Sequence, residues 1–99
     1  MGKTAPVMII NGRDNVATAL EGLSAGAEVS VEVQGRVVRI TLLTDVPMGH
    51  KFALKDLEEG EAVIKYGEPI GQTTTKIARG EHVHVHNVKS QERVTPHLS

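Results

Sequence analysis

The chain contains no cysteine and no tryptophan. Without cysteine there are no disulfides and no thiolate ligands. Any metal must then be held by His, Asp, Glu or Asn, a donor set that suits iron(II), manganese or zinc and not copper(I) or a cluster. The same absence fits a cytoplasmic protein. Aromatic residues are nearly missing too, with Phe52 and Tyr66 alone. The core must come from Val, Ile, Leu, Ala and Met. Val is frequent, and its stiff χ1 favours strands. Charge of one sign is also lacking: 11 Lys and Arg face 12 Asp and Glu, for a formal net charge of −1. The two signs are mixed along the chain, which excludes a basic nucleic-acid footprint and a polybasic membrane patch. No apolar run approaches a membrane span. Met1-Gly2-Lys3-Thr4-Ala5-Pro6 lacks the apolar stretch of a signal peptide.

What remains is a chain of 99 residues, enough for one small domain with a thin core. Oligomerisation, including with its own copies, or docking on a larger partner is a natural way to stabilise it. Residues 1–6 are expected to be a disordered end, 7–88 the folded domain and 89–99 a flexible tail.

Val7-Met8-Ile9-Ile10 reads as a first strand, and Asn11-Gly12 as a turn. Val16, Ala19, Leu20 and Leu23 share one face at helical spacing, so Val16–Leu23 is expected to be a short helix capped by Asp14 or Asn15. Glu28–Val33 alternates as a strand, Gln34-Gly35-Arg36 turns, and Val37–Leu43 returns, giving a hairpin. A spacing then recurs four times: Leu23-x-x-Gly26-x-x-Val29, Val46-x-x-Gly49-x-x-Phe52, Leu57-x-x-Gly60-x-x-Val63 and Ile77-x-x-Gly80-x-x-Val83. Each copy reads as a tight turn with positive φ at Gly, followed by strand entry. The copies are irregularly separated, which excludes a solenoid. Lys65-Tyr66-Gly67-Glu68-Pro69-Ile70-Gly71 reads as a loop of fixed course.

Three of the five histidines fall in His82-Val83-His84-Val85-His86-Asn87. Strand alternation would put all three on one face, with alternate Cβ atoms about 7 Å apart. Two such imidazoles can share an ion, whereas three on one straight strand cannot easily do so. Two of these histidines, joined by a ligand from elsewhere such as His50 or a partner's carboxylate, are the expected geometry. The alternative is a polar, solvent-facing strand edge. Asn87 either caps the strand or hydrogen-bonds a hydroxylated substrate. Met48-Gly49-His50-Lys51 can set an acid/base beside a cation, or can be an exposed loop. Lys65 follows the apolar Val63-Ile64 pair, where its ammonium is either partly desolvated or snorkels to the surface.

In this order, Asp14-Asn15-Val16-Ala17-x-Ala19-Leu20, Gly49-His50-Lys51-x-Ala53-x-x-Asp56, Lys65-Tyr66-Gly67-x-Pro69-Ile70-Gly71 and Gly80-Glu81-His82-Val83-His84-x-His86-Asn87 resemble the SAF-type, antifreeze-like N-terminal domain of the altronate/galactarate dehydratase family. The small subunit of sulfolactate sulfo-lyase carries the same module. The resemblance covers about residues 7 to 88 and departs at Thr73-Thr74-Thr75, where relatives have small apolar residues. It implies a β-clip fold, mainly β with one short helix. It also implies a small subunit or N-terminal domain of a metal-dependent hydroxy-acid dehydratase, a carbon–oxygen lyase inactive without a large catalytic subunit. Iron(II) is the implied metal, with manganese or zinc as alternatives, and a small hydroxy acid the implied substrate. On that footing His84 and His86 are expected to bind metal, His50 and Lys51 to be catalytic, and Asn87 and Lys65 to bind substrate. The alternative function is a non-catalytic module that binds a sugar acid or serves assembly alone.

Overall fold

A computed structural model of the chain describes residues 3–4, 7–8, 12–33 and 35–90. Among them there are ten strands and no helix. They are β1 (Lys3–Thr4), β2 (Val7–Met8), β3 (Val16–Ala19), β4 (Glu28–Val33), β5 (Arg36–Thr41), β6 (Lys51–Ala53), β7 (Ala62–Lys65), β8 (Glu68–Thr73), β9 (His82–Val83) and β10 (Val88–Ser90). Three sheets result, in the orders β1-β4-β5, β2-β3-β6-β9 and β10-β8-β7. All pairings are antiparallel except β1 with β4. The mainly β class stands. Paired backbone also reaches past 7–88 at both ends, through β1 and through Lys89 and Ser90 of β10. Ile9, Ile10, Asn11 and Gln34 lie outside the described residues.

The expected helix at 16–23 is a strand instead. Val16, Thr18 and Ala17 pair with Ala53, Lys51 and Phe52 of β6. The reason is that β3 has a core on each side. Ala17, Ala19 and Phe52 pack with Val29, Val31, Ile40, Leu42 and Val46. Val16 and Ala53 turn the other way and pack with Leu57, Val63, Ile77 and Val83. A strand buried on both faces shows no alternation, so its apolar residues can mimic a helical face. Asp14 and Asn15 therefore cap no helix. Asn15 accepts from Ile64 N–H at 2.8 Å through Oδ1 and donates to the Ala62 carbonyl at 3.0 Å. Asp14 Oδ1 accepts from Gly67 N–H at 2.8 Å. Together they clamp the β7–β8 hairpin to the central sheet.

The four glycine copies are four turns of one shape. In each, an N–H donates back three residues: Ala27 to Ser24, His50 to Pro47, Glu61 to Glu58 and Glu81 to Ala78, at 3.0–3.1 Å. Gly26, Gly49, Gly60 and Gly80 all have φ between 83° and 88°, as the third residue of a type II turn requires. The first apolar residues of the copies pair with each other, Leu23 with Val46 and Leu57 with Ile77. The irregular spacing now has an explanation: turns 1 and 3 each lead into a long hairpin, and turns 2 and 4 each follow one. Ala19-Leu20-x-x-Leu23-x-x-Gly26-x-x-Val29 recurs as Ala53-Leu54-x-x-Leu57-x-x-Gly60-x-x-Val63. Equivalent bonds recur too, since Gly49 donates to Ala19 and Gly80 to Ala53. The domain is an internal duplication built around the central sheet.

Residues 65–71 are a hairpin, not a loop. Tyr66 and Gly67 have φ of 58° and 73°, the left-handed pair of a two-residue hairpin turn. Pro69 sits in β8 where the register shifts, a bulge that tolerates its missing N–H. A Cβ at Gly71 would come within 2.7 Å of the Lys89 carbonyl, so glycine lets β10 lie close.

Candidate metal centre

Turn 2 delivers His50 and Lys51 into β6, and turn 4 delivers His82 into β9. These two strands pair, with Lys51 opposite Val83 and Phe52 opposite His82. One step further along that register, His50 faces His84. Directly opposed residues bring their Cβ atoms to about 5 Å, and diagonal ones remain within reach of large rings. The imidazoles meet accordingly. His50 and His84 stack with centroids 3.8 Å apart and planes 15° from parallel. His82 lies 5.0 Å from His50 and 5.6 Å from His84.

The strand expected over 82–86 stops at Val83. Asn87 closes a turn there. Its N–H donates to the His84 carbonyl at 3.1 Å, its Oδ1 accepts from His84 N–H at 2.9 Å, and its Nδ2 donates to the His82 carbonyl at 2.8 Å. Its backbone carbonyl accepts from Thr74 N–H. With its side chain 2 % exposed and its amide committed, Asn87 is the local scaffold. The turn swings His86 outward into solvent, its ring 5.0 Å from that of His82 and tilted by 38°.

His50, His82 and His84 are all half-buried, and one ring nitrogen from each lies within 4.8 Å of the others. One pair is in hydrogen-bond contact, His50 Nδ1 and His82 Nε2 at 2.8 Å. Ligand atoms of a tetrahedral site with bonds of about 2.05 Å stand ~3.3 Å apart. The three nitrogens are thus close enough for one ion once the His50–His84 stack turns so that their in-plane lone pairs converge. Electrostatics agree. Burial lowers the His82 pKa, with His86, His50 and His84 adding to the effect. Burial also lowers that of His84, helped by His50, Lys51 and His86. Neutral imidazoles, with lone pairs free for a metal, are thereby favoured.

Among the residues expected from sequence, His84 lies in this trio, His50 joins it and His86 stands outside it. His82, not among the expected ligands, is a member. The repeat shows that turns 2 and 4 both lead into histidines, His50 one residue past Gly49 and His82 two past Gly80; that their strands pair is seen only in the structure. Lys51 shares an open groove of about 170 Å³ with His84, walled by Ile70, Val85 and Val88. Lys65 sits elsewhere. It is buried at the far end of the β7–β8 hairpin, its ammonium 3.6 Å from the Tyr66 ring centroid.

Residues 5–91 match the family described as altronate/galactarate dehydratase SAF domain. The chain is 52% identical over 81 residues to an altronate dehydratase of Escherichia coli (strain K12), covering 82% of this chain and 16% of that protein. It is 45% identical over 74 residues to a (2R)-sulfolactate sulfo-lyase subunit alpha of Chromohalobacter salexigens, covering 73% of this chain and 79% of that subunit. A galactarate dehydratase (L-threo-forming) of E. coli is 34% identical over 79 residues, which are 14% of its length. The chain thus spans about one sixth of the dehydratases it matches and most of the sulfo-lyase subunit.

Proposed function

This chain belongs to the altronate/galactarate dehydratase SAF-domain family, and we propose on that footing that it supplies a three-histidine half-site to a metal-dependent hydroxy-acid lyase. A large catalytic chain completes the site. The observation that carries this reading is the convergence of three half-buried imidazole nitrogens within 4.8 Å. Apart from the His50–His82 hydrogen bond, none of their ring nitrogens has a hydrogen-bond partner among the described residues.

The donor set is three neutral nitrogens with no thiolate, which suits zinc or iron(II) better than manganese; the family resemblance is what puts iron(II) first. His50, His82 and His84 would hold the ion, which would supply positive charge for the anion that forms when a proton beside a carboxylate is removed. Lys51, lining the groove beside His84, offers its ammonium to the substrate carboxylate. His86, exposed beside His82, is placed to exchange a proton with solvent. Asn87 serves by fixing the turn and not by touching substrate. The partner supplies the remaining ligands and the rest of the acid–base set. Altronate, galactarate and (2R)-sulfolactate are the substrates to assay first, since the relatives are named for acting on them.

The His50–His82 hydrogen bond favours a second reading, because two of the imidazoles satisfy each other without an ion. In that case the module binds a sugar acid or a partner and carries no metal. Anaerobic calorimetric titration with iron(II), manganese and zinc separates the two. One ion per chain, lost in the His82→Ala/His84→Ala double variant, is the expected result. Absence of stoichiometric uptake, alone and with a large dehydratase chain present, overturns the metal reading.

A further inference from the structure

Lys65 is 5 % exposed, yet no acceptor among the described residues pairs with its ammonium. Its one described contact is the face of the Tyr66 ring. An ammonium carries three donors, and a ring face occupies one. The atom is not sealed in. Thr18 Oγ1 is the one fully buried side-chain polar atom without a partner among the described residues, so Lys65 Nζ reaches the surface. Tyr66 is the one described non-glycine residue with positive φ, at 58°, and its side chain is 51% exposed. Strain of this kind persists only where the surroundings over-determine it. Here Asp14 holds Gly67 N–H and Asn15 holds Ile64 N–H from below. A rigid turn thus presents a cation with spare donors beside an exposed aromatic ring.

We propose that the Lys65–Tyr66 turn is a binding site for a single carboxylate. One cation matches one negative charge. Glu68, exposed and opposite Lys65 in the strand register, and Asp14, whose carboxylate holds Gly67 N–H, repel any anion and a doubly charged phosphate most. The site is distinct from the imidazoles: no hydrogen bond or ring contact among the described residues joins Lys65 or Tyr66 to them, although the groove beside His84 extends to Val63 and Ile70, each two residues from the Lys65–Glu68 pair. It depends on neither a metal nor a lyase activity. The carboxylate belongs either to a free hydroxy acid or to an Asp or Glu of a partner polypeptide, and the chemistry at Lys65 is the same for both.

Tyr66 is the only tyrosine and there is no tryptophan, so intrinsic emission reports on this turn alone. The chain is titrated with tartrate and, separately, with a blocked aspartyl peptide, at ionic strength held constant with chloride. A saturable change in Tyr66 emission is expected. It should weaken at least about tenfold in Lys65→Met and stay unchanged in His82→Ala. Tighter binding of tartrate identifies a free acid as the source, and tighter binding of the peptide identifies a polypeptide. Amide resonances of the unaltered chain give a second reading, with shifts centred on Tyr66 and Gly67. The proposal fails if chloride alone gives the same change, if Lys65→Met titrates like the parent, or if the amide shifts centre on His84 instead.

Discussion

Turns 1 and 3 and turns 2 and 4 share one backbone and differ in what they deliver. After Gly26 and Gly60 the chain enters the outer hairpins through Ala27-Glu28 and Glu61-Ala62. After Gly49 and Gly80 it enters the central sheet through His50-Lys51 and Glu81-His82. All four turns feed the two cores, turns 1 and 2 through Val29, Val46 and Phe52, and turns 3 and 4 through Leu57, Val63, Ile77 and Val83. The inner turns feed antiparallel neighbours, so residues just past them meet across the pair. A duplicated scaffold therefore gathers its described histidines at one place, and that place is set by which strands pair and not by the turn itself.

The comparison breaks most severely at Gly80. A Cβ there would collide with the Thr41 carbonyl, whereas Gly26, Gly49 and Gly60 have open space around theirs. Gly26→Ala should lower unfolding stability by about 1–2 kcal/mol, the left-handed penalty alone. Gly80→Ala should lower it by about 3 kcal/mol or more, because backbone must also move. Denaturant midpoints of the two variants decide this. Equal losses would mean that turn 4 is not locked against β5 as the structure has it.

The next effect separates chemistry from scaffold. His82→Ala and His84→Ala should each weaken metal binding at least about 100-fold, or ~2.7 kcal/mol. Metal-free stability should change by under about 1 kcal/mol, since both rings are half-buried. Asn87→Ala and Asn15→Ala should each cost about 2 kcal/mol by leaving buried backbone groups unpaired. Only Asn87→Ala should also weaken the metal, because its turn sets His84. If Asn15→Ala weakens the metal equally, the inner and outer regions are not independent.

Much of this division was legible in the sequence, and the exceptions have physical causes. The glycine spacing gave the four turns because positive φ is a local demand. Alternation gave the β4–β5 hairpin because that hairpin has an inside and an outside. β3 was misread as a helix because cores on both sides of it erase alternation. Asp14 and Asn15 read as caps because short polar side chains bond whatever backbone is near, and their true partners lie about fifty residues on. The three-histidine run was visible, but its membership was not. A strand was assumed through residue 86, and the buried Asn87 ended it at Val83. Which imidazoles meet depends on β6–β9 register, a long-range pairing that no local pattern encodes.

The smallest effect tests where the titrating groups lie. His82 and His84 both have pKa values below the ordinary 6.5, first through burial and then through neighbouring cationic groups. In the unfolded chain each returns to about 6.5. Between that value and the lower folded value the unfolded state binds more protons, so stability must fall as pH drops. Above about pH 6.5 both states are neutral at these sites and the contribution is flat. Below the folded values both are protonated and it is flat again, at a lower level. The outer hairpins contain no histidine over residues 28–41 and 62–73, so this acid step belongs to the central sheet. Melting temperature measured from pH 7.5 downward should show it, and the His82→Ala/His84→Ala double variant should lose most of it. Bound metal should deepen the step, because protons and metal compete for the same lone pairs. A step that survives in the double variant would place the responsible groups among the carboxylates of the outer turns, and the contrast between inner and outer turns would no longer hold for electrostatics.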